Sequence, residues 1–194
     1  MPPQSHPVQS EDARHLSPYT FKEKAKRLLW SLVEATLYRW TWPTWYRYRA
    51  WLLERFGASI HSTVRLRRTC RFTCPWNLTI GAHSASGDRV IFYSLGPITI
   101  GQRTTLSQGS HLCAGTHDYT DPATMPLQRL PIQIGDDAWI ATDAFVGPGV
   151  TVGQGAILGA RGCAFKDLNA WIIYGGNPAK AIKDRPSPPS TEKI

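Results

Sequence analysis

From Ile134 onward one small aliphatic residue or alanine returns every six positions: Ile134, Ile140, Val146, Val152, Leu158 and Ala164. A small residue follows each of the first five, as Gly135, Ala141, Gly147, Gly153 and Gly159. An amphipathic helix repeats its apolar face about every 3.6 residues and a half-buried strand every second residue, so this period fits neither. A hexapeptide period marks a parallel β-helix instead, in which each short strand turns a corner and successive coils stack. Three hexads close one triangular coil of about 18 residues.

The period is present earlier, with interruptions. Ile60, Leu66 and Phe72 are six apart, although His61 stands where a glycine is expected. The phase slips at Pro75-Trp76-Asn77 and resumes at Ile80-Gly81, and a second set follows as Ile100-Gly101, Leu106 and Leu112. Ile80 to Ile100 reads as one coil plus two residues, and Leu112 to Ile134 as one coil plus four. Each mismatch predicts an excursion from the prism. The second carries GTHDYTDPATMPLQRLP, residues 115–131, whose Pro, Asp and Thr content predicts a loop between rungs. Loops on a rigid scaffold are where binding and chemistry concentrate. The coil is expected to end near Ala164, followed by a last strand, a Gly175-Gly176-Asn177-Pro178 turn and a short basic segment.

The expected organisation is a disordered tail over 1–18, an aromatic and basic helical segment over 19–57, a β-helix over 58–185 and a disordered tail over 186–194. No run of 18 apolar residues argues for a transmembrane helix, and the N-terminus lacks the basic-then-apolar order of a secretory signal. The four cysteines read as reduced thiols of a cytosolic protein. Cys70 and Cys74 have no second pair or nearby histidine to complete a zinc site.

The net charge of +8 implies an anionic partner: nucleic acid, a membrane surface, or a phosphorylated substrate or cofactor. Residues 20–56 hold five of the eight tryptophans (Trp30, Trp40, Trp42, Trp45, Trp51), interleaved with lysines and arginines. The pattern predicts one helix over 20–40, a break near Pro43 and a second helix over 44–56. Such a segment suits peripheral contact with a membrane interface, where indole rings sit at headgroup depth. It equally suits packing against the β-helix or a neighbouring subunit. No nucleic-acid reader motif appears, so nucleic acid is not expected as a partner.

His117 opens the excursion loop beside Thr116 and Asp118. A histidine titrates near neutral pH and suits a general base. The hexads, the segment Ala114-Gly115-Thr116-His117-Asp118, the run PIQIGDDAWIATDAFVGPGVTVG and the final GGNPAK together resemble the hexapeptide-repeat O-acetyltransferases. These include the maltose, galactoside and nodulation-factor enzymes. The phrases YSLGPITIG (93–101), THDYTDP (116–122) and DAFVGPGV (143–150) are most similar to the branch assigned to colanic acid biosynthesis. The resemblance covers about residues 20–185.

The resemblance implies an all-β repeat fold, a left-handed parallel β-helix with an N-terminal α-helical segment and a short C-terminal extension. It implies transfer of acetyl from acetyl-CoA to a sugar hydroxyl, with His117 as base and no metal. Thr142, Ala160, Lys166, Lys180 and Lys183 map onto coenzyme positions, and Tyr93, Ser94 and Trp139 onto the acceptor side or the cleft wall. Backbone N–H groups near Ala141 and Thr142 are candidates for an oxyanion contact. A homotrimer with active sites at subunit interfaces is implied, acting in the cytoplasm, at the inner membrane face if residues 20–56 dock there. The acceptor is then a saccharide or its lipid-linked precursor. Phe165 departs from the family, which commonly has Thr there, and Ser94 from the usual Asn.

Two other functions share the fold. A zinc enzyme of the γ-carbonic-anhydrase type needs three converging histidines. His111 and His117, six apart, fall on different parts of the prism, and His83 offers no obvious third ligand. A non-catalytic, membrane-associated scaffold is the other.

Overall fold

The computed structural model describes residues 17–187, so the tails expected over 1–18 and 186–194 lie almost wholly outside the described residues. The chain winds about six turns of a left-handed parallel β-helix. Its first face stacks Ser59–Ile60, Leu78–Ile80, Ile98–Ile100, Ile132–Ile134 and Thr151–Val152. The second stacks Ala85–Ser86, Thr105–Leu106, Trp139–Ile140, Ile157–Leu158 and Ile172–Gly175. The third stacks Arg71–Phe72, Ile91–Tyr93, His111–Cys113, Phe145–Val146 and Cys163–Ala164.

The register puts the hexad residues directly above one another. Ile60, Ile80, Ile100, Ile134 and Val152 form one inward ladder, and Phe72, Phe92, Leu112, Val146 and Ala164 another. The second-face ladder runs Ser86, Leu106, Ile140, Leu158 and Tyr174. All are buried. Ser86 is the polar member; its hydroxyl accepts from the Arg67 N–H at 3.1 Å and lies 3.1 Å from the Cys70 Sγ. That burial pushes the Cys70 thiol up to about 11.

From the second coil onward, the residue three places after an inward one turns the first two corners in the left-handed region. His83, Arg103, Asp137 and Trp171 do so between the first and second faces, and Arg89, Asp143 and Arg161 between the second and third. The small residue after the inward one has a steric cause. A Cβ on Gly81 or Gly135 would stand 2.8 or 2.7 Å from the backbone of the next coil.

The excursions all fall at the corner between the third and first faces. Ile134 pairs directly with Ile100, so Ile134 opens the coil that follows Leu112. The interval from Leu112 to Ile134 is therefore one hexad plus sixteen residues, not one coil plus four. Nor does the prism stop at Ala164: Leu168 bridges to Val152 and Tyr174 pairs with Leu158. The basic segment expected after the last strand is itself a strand, Lys180–Asp184, antiparallel to Ile172–Gly175.

Two helices cover the other end. Helix α1, Phe21–Val33, starts at a capping box in which Thr20 and Glu23 satisfy each other's backbone N–H. It runs on through a π-helical turn, Glu34–Tyr38, and helix α2 spans Tyr46–Arg55. Their side chains satisfy the edge of the first coil, which has no strand above it. The Trp30 Nε1 donates to the Phe72 carbonyl at 2.6 Å, the Phe72 N–H donates to Glu34 at 2.8 Å, and the Tyr38 hydroxyl donates to the Arg67 carbonyl at 3.2 Å. Burial raises the Glu34 carboxyl, against the pull of the Phe72 N–H and Arg71. Of the five tryptophans here, Trp30 is buried against Phe56 and Phe72, whereas Trp40, Trp42, Trp45 and Trp51 are exposed.

Candidate active site

The sixteen extra residues leave the prism as a hairpin. Thr116–His117 pairs antiparallel with Leu127–Gln128, with Leu127 opposite His117. Two aspartates build its tip. Asp118 accepts from the Thr120 N–H and hydroxyl at 2.9 and 2.6 Å, and Asp121 from the N–H groups of Ala123 and Thr124. This is how the loop's Asp and Thr content becomes a shape.

His117 is exposed on this hairpin, and its Nδ1 lies 2.6 Å from the Met125 carbonyl oxygen. A carbonyl can only accept, so Nδ1 carries the proton and donates. In the neutral imidazole this tautomer leaves the lone pair on Nε2, the form a general base requires. Met125 is itself held at φ +43, with its N–H on the Asp121 carbonyl at 2.9 Å. The neighbouring Asp118 carboxyl is engaged by Thr120, whose bonds hold it below the usual range.

The other sequence candidates fall into two groups. Tyr93 lies on the third face, in register with Cys113, and Gly115, just before the hairpin, comes close to its ring. Burial raises its hydroxyl. Ser94 points inward and is fully buried; its hydroxyl donates to the Cys74 carbonyl at 2.9 Å and accepts from the Cys74 N–H at 3.1 Å. It offers no surface to an acceptor. Trp139 is half-exposed on the second face, donating to the Ser107 hydroxyl at 2.9 Å.

Thr142 and Ala160 stack one above the other at the corner between the second and third faces, where the Arg161 N–H donates to the Thr142 carbonyl at 2.8 Å. The Ala141 N–H is committed to the Leu158 carbonyl at 2.9 Å, which leaves the Thr142 N–H as the candidate oxyanion donor. Lys180, opposite Gly175, approaches the same corner, and Lys183 sits opposite Ile173. Lys166 follows Ala164 at the other edge of the third face, and all three lysines are exposed. His117 leaves from that other edge too. It is separated from the Thr142 corner by the width of a face, on the order of 15 Å for five extended residues.

Several residues near Tyr93 had no signal in the sequence. Arg129, at the hairpin's exit, pairs with Glu23 of α1 at 2.9 Å, across 106 positions of chain. The guanidinium groups of Arg27 and Arg129 lie 4.1 and 5.5 Å from the Tyr19 ring centre. Together with Cys74 and Asn77 these residues line a small cleft at the hairpin's base. His111 lies edge-on to Tyr93 and Phe145, its Nε2 buried with no partner, and burial lowers its pKa. His83 stands at the first corner, away from His111 and His117. Among the described residues no group of three or more His, Cys, Asp or Glu could hold a metal ion.

Comparisons place this geometry among known proteins. No family model matches the chain. The Escherichia coli (strain K12) protein assigned to colanic acid biosynthesis as acetyltransferase WcaF is 45% identical over 157 residues, covering 81% of this chain and 86% of that one. A maltose O-acetyltransferase from Clostridium difficile 630 superposes with a TM-score of 0.79 at 21% identity, over 91% of this chain and 96% of its own. A hexapeptide-repeat acetyltransferase from Vibrio cholerae O1 biovar eltor, complexed with acetyl coenzyme A, gives 0.77 at 21% identity, over 92% and 100%. At that identity the two structures speak for the fold alone.

Proposed function

The chain belongs to the hexapeptide-repeat acetyltransferases of the colanic acid branch, and on that premise we propose that it moves acetyl from acetyl-CoA to a hydroxyl of a saccharide acceptor. The observation that carries this reading is the bond from the His117 Nδ1–H to the Met125 carbonyl, which leaves Nε2 as a lone-pair base on an exposed hairpin. His117 Nε2 takes the proton of the acceptor hydroxyl as its oxygen attacks the thioester carbonyl. The tetrahedral oxyanion is met by the Thr142 N–H. Its collapse expels the coenzyme thiolate, which recovers the proton from the imidazolium. Transfer is direct, and holding both substrates in place makes the encounter effectively intramolecular.

In this reading the coenzyme lies along the corner of Thr142 and Ala160, with Lys180 and Lys183 of the same chain as partners for its phosphates and Lys166 reaching them from the irregular edge of the neighbouring subunit. Tyr93 and Trp139 border the acceptor. Because His117 and the Thr142 corner occupy opposite edges of the third face in one chain, the site closes only when a second subunit brings its hairpin to that corner. A homotrimer does this with three identical, head-to-tail contacts. The outward residues support the seam: the first face presents Thr79, Thr99, Gln133 and Thr151, whereas the third presents Ile91, Tyr93, Phe145 and Phe165. The acceptor is a repeat unit of an exopolysaccharide or its lipid-linked precursor. The enzyme works in the cytoplasm, peripheral to the inner membrane face through residues 20–56.

Coenzyme A release with a saccharide acceptor tests this. His117→Ala is expected to lower kcat by about 10²–10⁴ while coenzyme binding and the circular dichroism spectrum stay as in the parent. Unchanged turnover removes His117 from the mechanism, and a fully active monomer by light scattering removes the shared site.

A further inference from the structure

The structure leaves α1 apolar on two sides. Trp30 faces the first coil, and at about 100° per residue Phe21, Leu28 and Leu32 fall within about 20° of the point opposite it. All three are exposed, Phe21 by 85% and Leu28 by 63%. Leu37 within the π-helical turn and Trp40, Trp42 and Trp45 after it are exposed as well, Trp40 by 83%. A soluble monomer rarely leaves so many large apolar side chains of one short segment to water.

Charge distinguishes what covers it. Residues 20–71 contain twelve lysines and arginines against three acids, whereas the rest of the chain has ten against eleven. The net charge of +8 therefore resides wholly in the helical cap and the coil it sits on. Two of those three acids are already paired, Glu23 with Arg129 and Glu34 with Arg71. Arg65, Arg67 and Arg68 are exposed on the first coil, immediately beneath the helices. Between that coil and α2 lies an open cleft of about 510 Å³ lined by Tyr46, Arg47, Ser62, Thr63, Arg65 and His83.

We propose that this capped end of the prism is a docking surface for an anionic phospholipid bilayer. Apolar side chains enter the acyl boundary, indole rings lie at headgroup depth, and the arginine belt of the first coil meets the phosphates. Among the described residues no helix is long and apolar enough to cross a membrane, so the contact is peripheral. Docking by this end stands the prism on the bilayer. His117 leaves from the third coil, two coil spacings or about 10 Å beyond the first. Resting on the acetyltransferase reading, that height selects a lipid-linked saccharide, whose sugars project a short way from the headgroup plane, over a free polymer.

Sedimentation of the full chain with vesicles tests the surface directly, using phosphatidylcholine alone or with about one-third phosphatidylglycerol, a headgroup charge within reach of the arginines. The protein is expected to pellet with the anionic vesicles and to be released as salt shortens the screening length. Each arginine neutralised in Arg65→Gln/Arg68→Gln is expected to lower partitioning about fivefold. Leu28→Ser/Leu32→Ser is expected to abolish pelleting while acetyl transfer to a soluble saccharide is unchanged. Equal pelleting with neutral vesicles, or none with either, overturns the proposal. So does a leucine variant that alters subunit assembly while the parent ignores vesicles, because the patch is then a protein seam. If docking persists but no acceptor yields coenzyme A release, the acetyltransferase reading falls and the docking surface stands.

Discussion

Replacing Arg49 with methionine tests how the helical cap is held to the prism. Arg49 is fully buried and has no carboxylate partner among the described residues; its guanidinium donates to the Leu66, Trp42 and Pro43 carbonyls and to the Thr41 hydroxyl at 2.8–2.9 Å. One side chain thus ties α2 and the bend before it to the first coil. Two effects oppose each other. Removing a buried charge recovers desolvation free energy, and replacing whole ion pairs by apolar groups is often neutral or stabilising. Here, however, only the donor is removed and four acceptors remain. The Trp42 carbonyl keeps the Trp45 N–H, and the Thr41 hydroxyl still donates to the Tyr38 carbonyl. The Leu66 carbonyl has no other bond among the described residues and is stranded at the buried junction, at a cost of about 1–3 kcal/mol. The bonds lost at the bend add about 1 kcal/mol. Arg49→Met is therefore expected to destabilise by about 3 kcal/mol, and Arg49→Lys by less, since an ammonium keeps the charge but loses the fork. Urea unfolding at fixed protein concentration measures both. A loss below about 1 kcal/mol for Arg49→Met would show that desolvation cancels the bonds, and would refute the view of Arg49 as a clasp.

His111 sets an acid limit. Burial lowers its folded pKa, so the unfolded chain binds the extra proton first as pH falls below about 6.5. Stability should decline from that point downward, and His111→Phe should flatten the decline in thermal unfolding at pH 5 to 8 (about the range that matters); an unchanged slope would assign the acid sensitivity elsewhere. Glycine positions should separate by cause. A Cβ on Gly135 meets the backbone of the next coil at 2.7 Å, whereas one on Gly149 meets nothing closer than 3.8 Å but requires φ +80. Gly135→Ala should cost about 2–3 kcal/mol through overpacking and Gly149→Ala about 1–2 through the backbone alone. The reverse order in urea unfolding would contradict this reading of the corner.

The hexad was enough to place Ile60, Leu66, Phe72, Ile80, Ile100, Leu106, Leu112 and the run from Ile134 to Ala164, but not Ser86 or Phe92. It was weaker where a rung breaks the chemical pattern. Ser86 lies six after Ile80 and six before Phe92, yet a serine carries no apolar signal, and only its bonds to Arg67 and Cys70 explain its burial. Counting residues could not size the hairpin either, since twenty-two positions accommodate a whole coil and only pairing of Ile134 with Ile100 excludes it. The partner that fixes the His117 tautomer is a backbone carbonyl, invisible in any residue pattern. The Arg129–Glu23 pair joins segments whose proximity the winding alone creates.

The departures from the period carry a consequence for the site. From first to second face and from second to third, the inward residues remain six apart in every coil from Ile60 to Tyr174. From third to first the intervals are eight, eight, twenty-two, six and four. The first two corners are locked by residues in the left-handed region stacked coil on coil, so an insertion there would break the stack above and below it. Insertions are absorbed only at the third corner, and that is where a projecting base can be carried. An extended coenzyme needs the opposite kind of surface, an unbroken stack of backbone such as Thr142 over Ala160. In the proposed mechanism the two demands fall on opposite edges of one face, which is why that mechanism sets the irregular edge of one subunit against a neighbour's regular one.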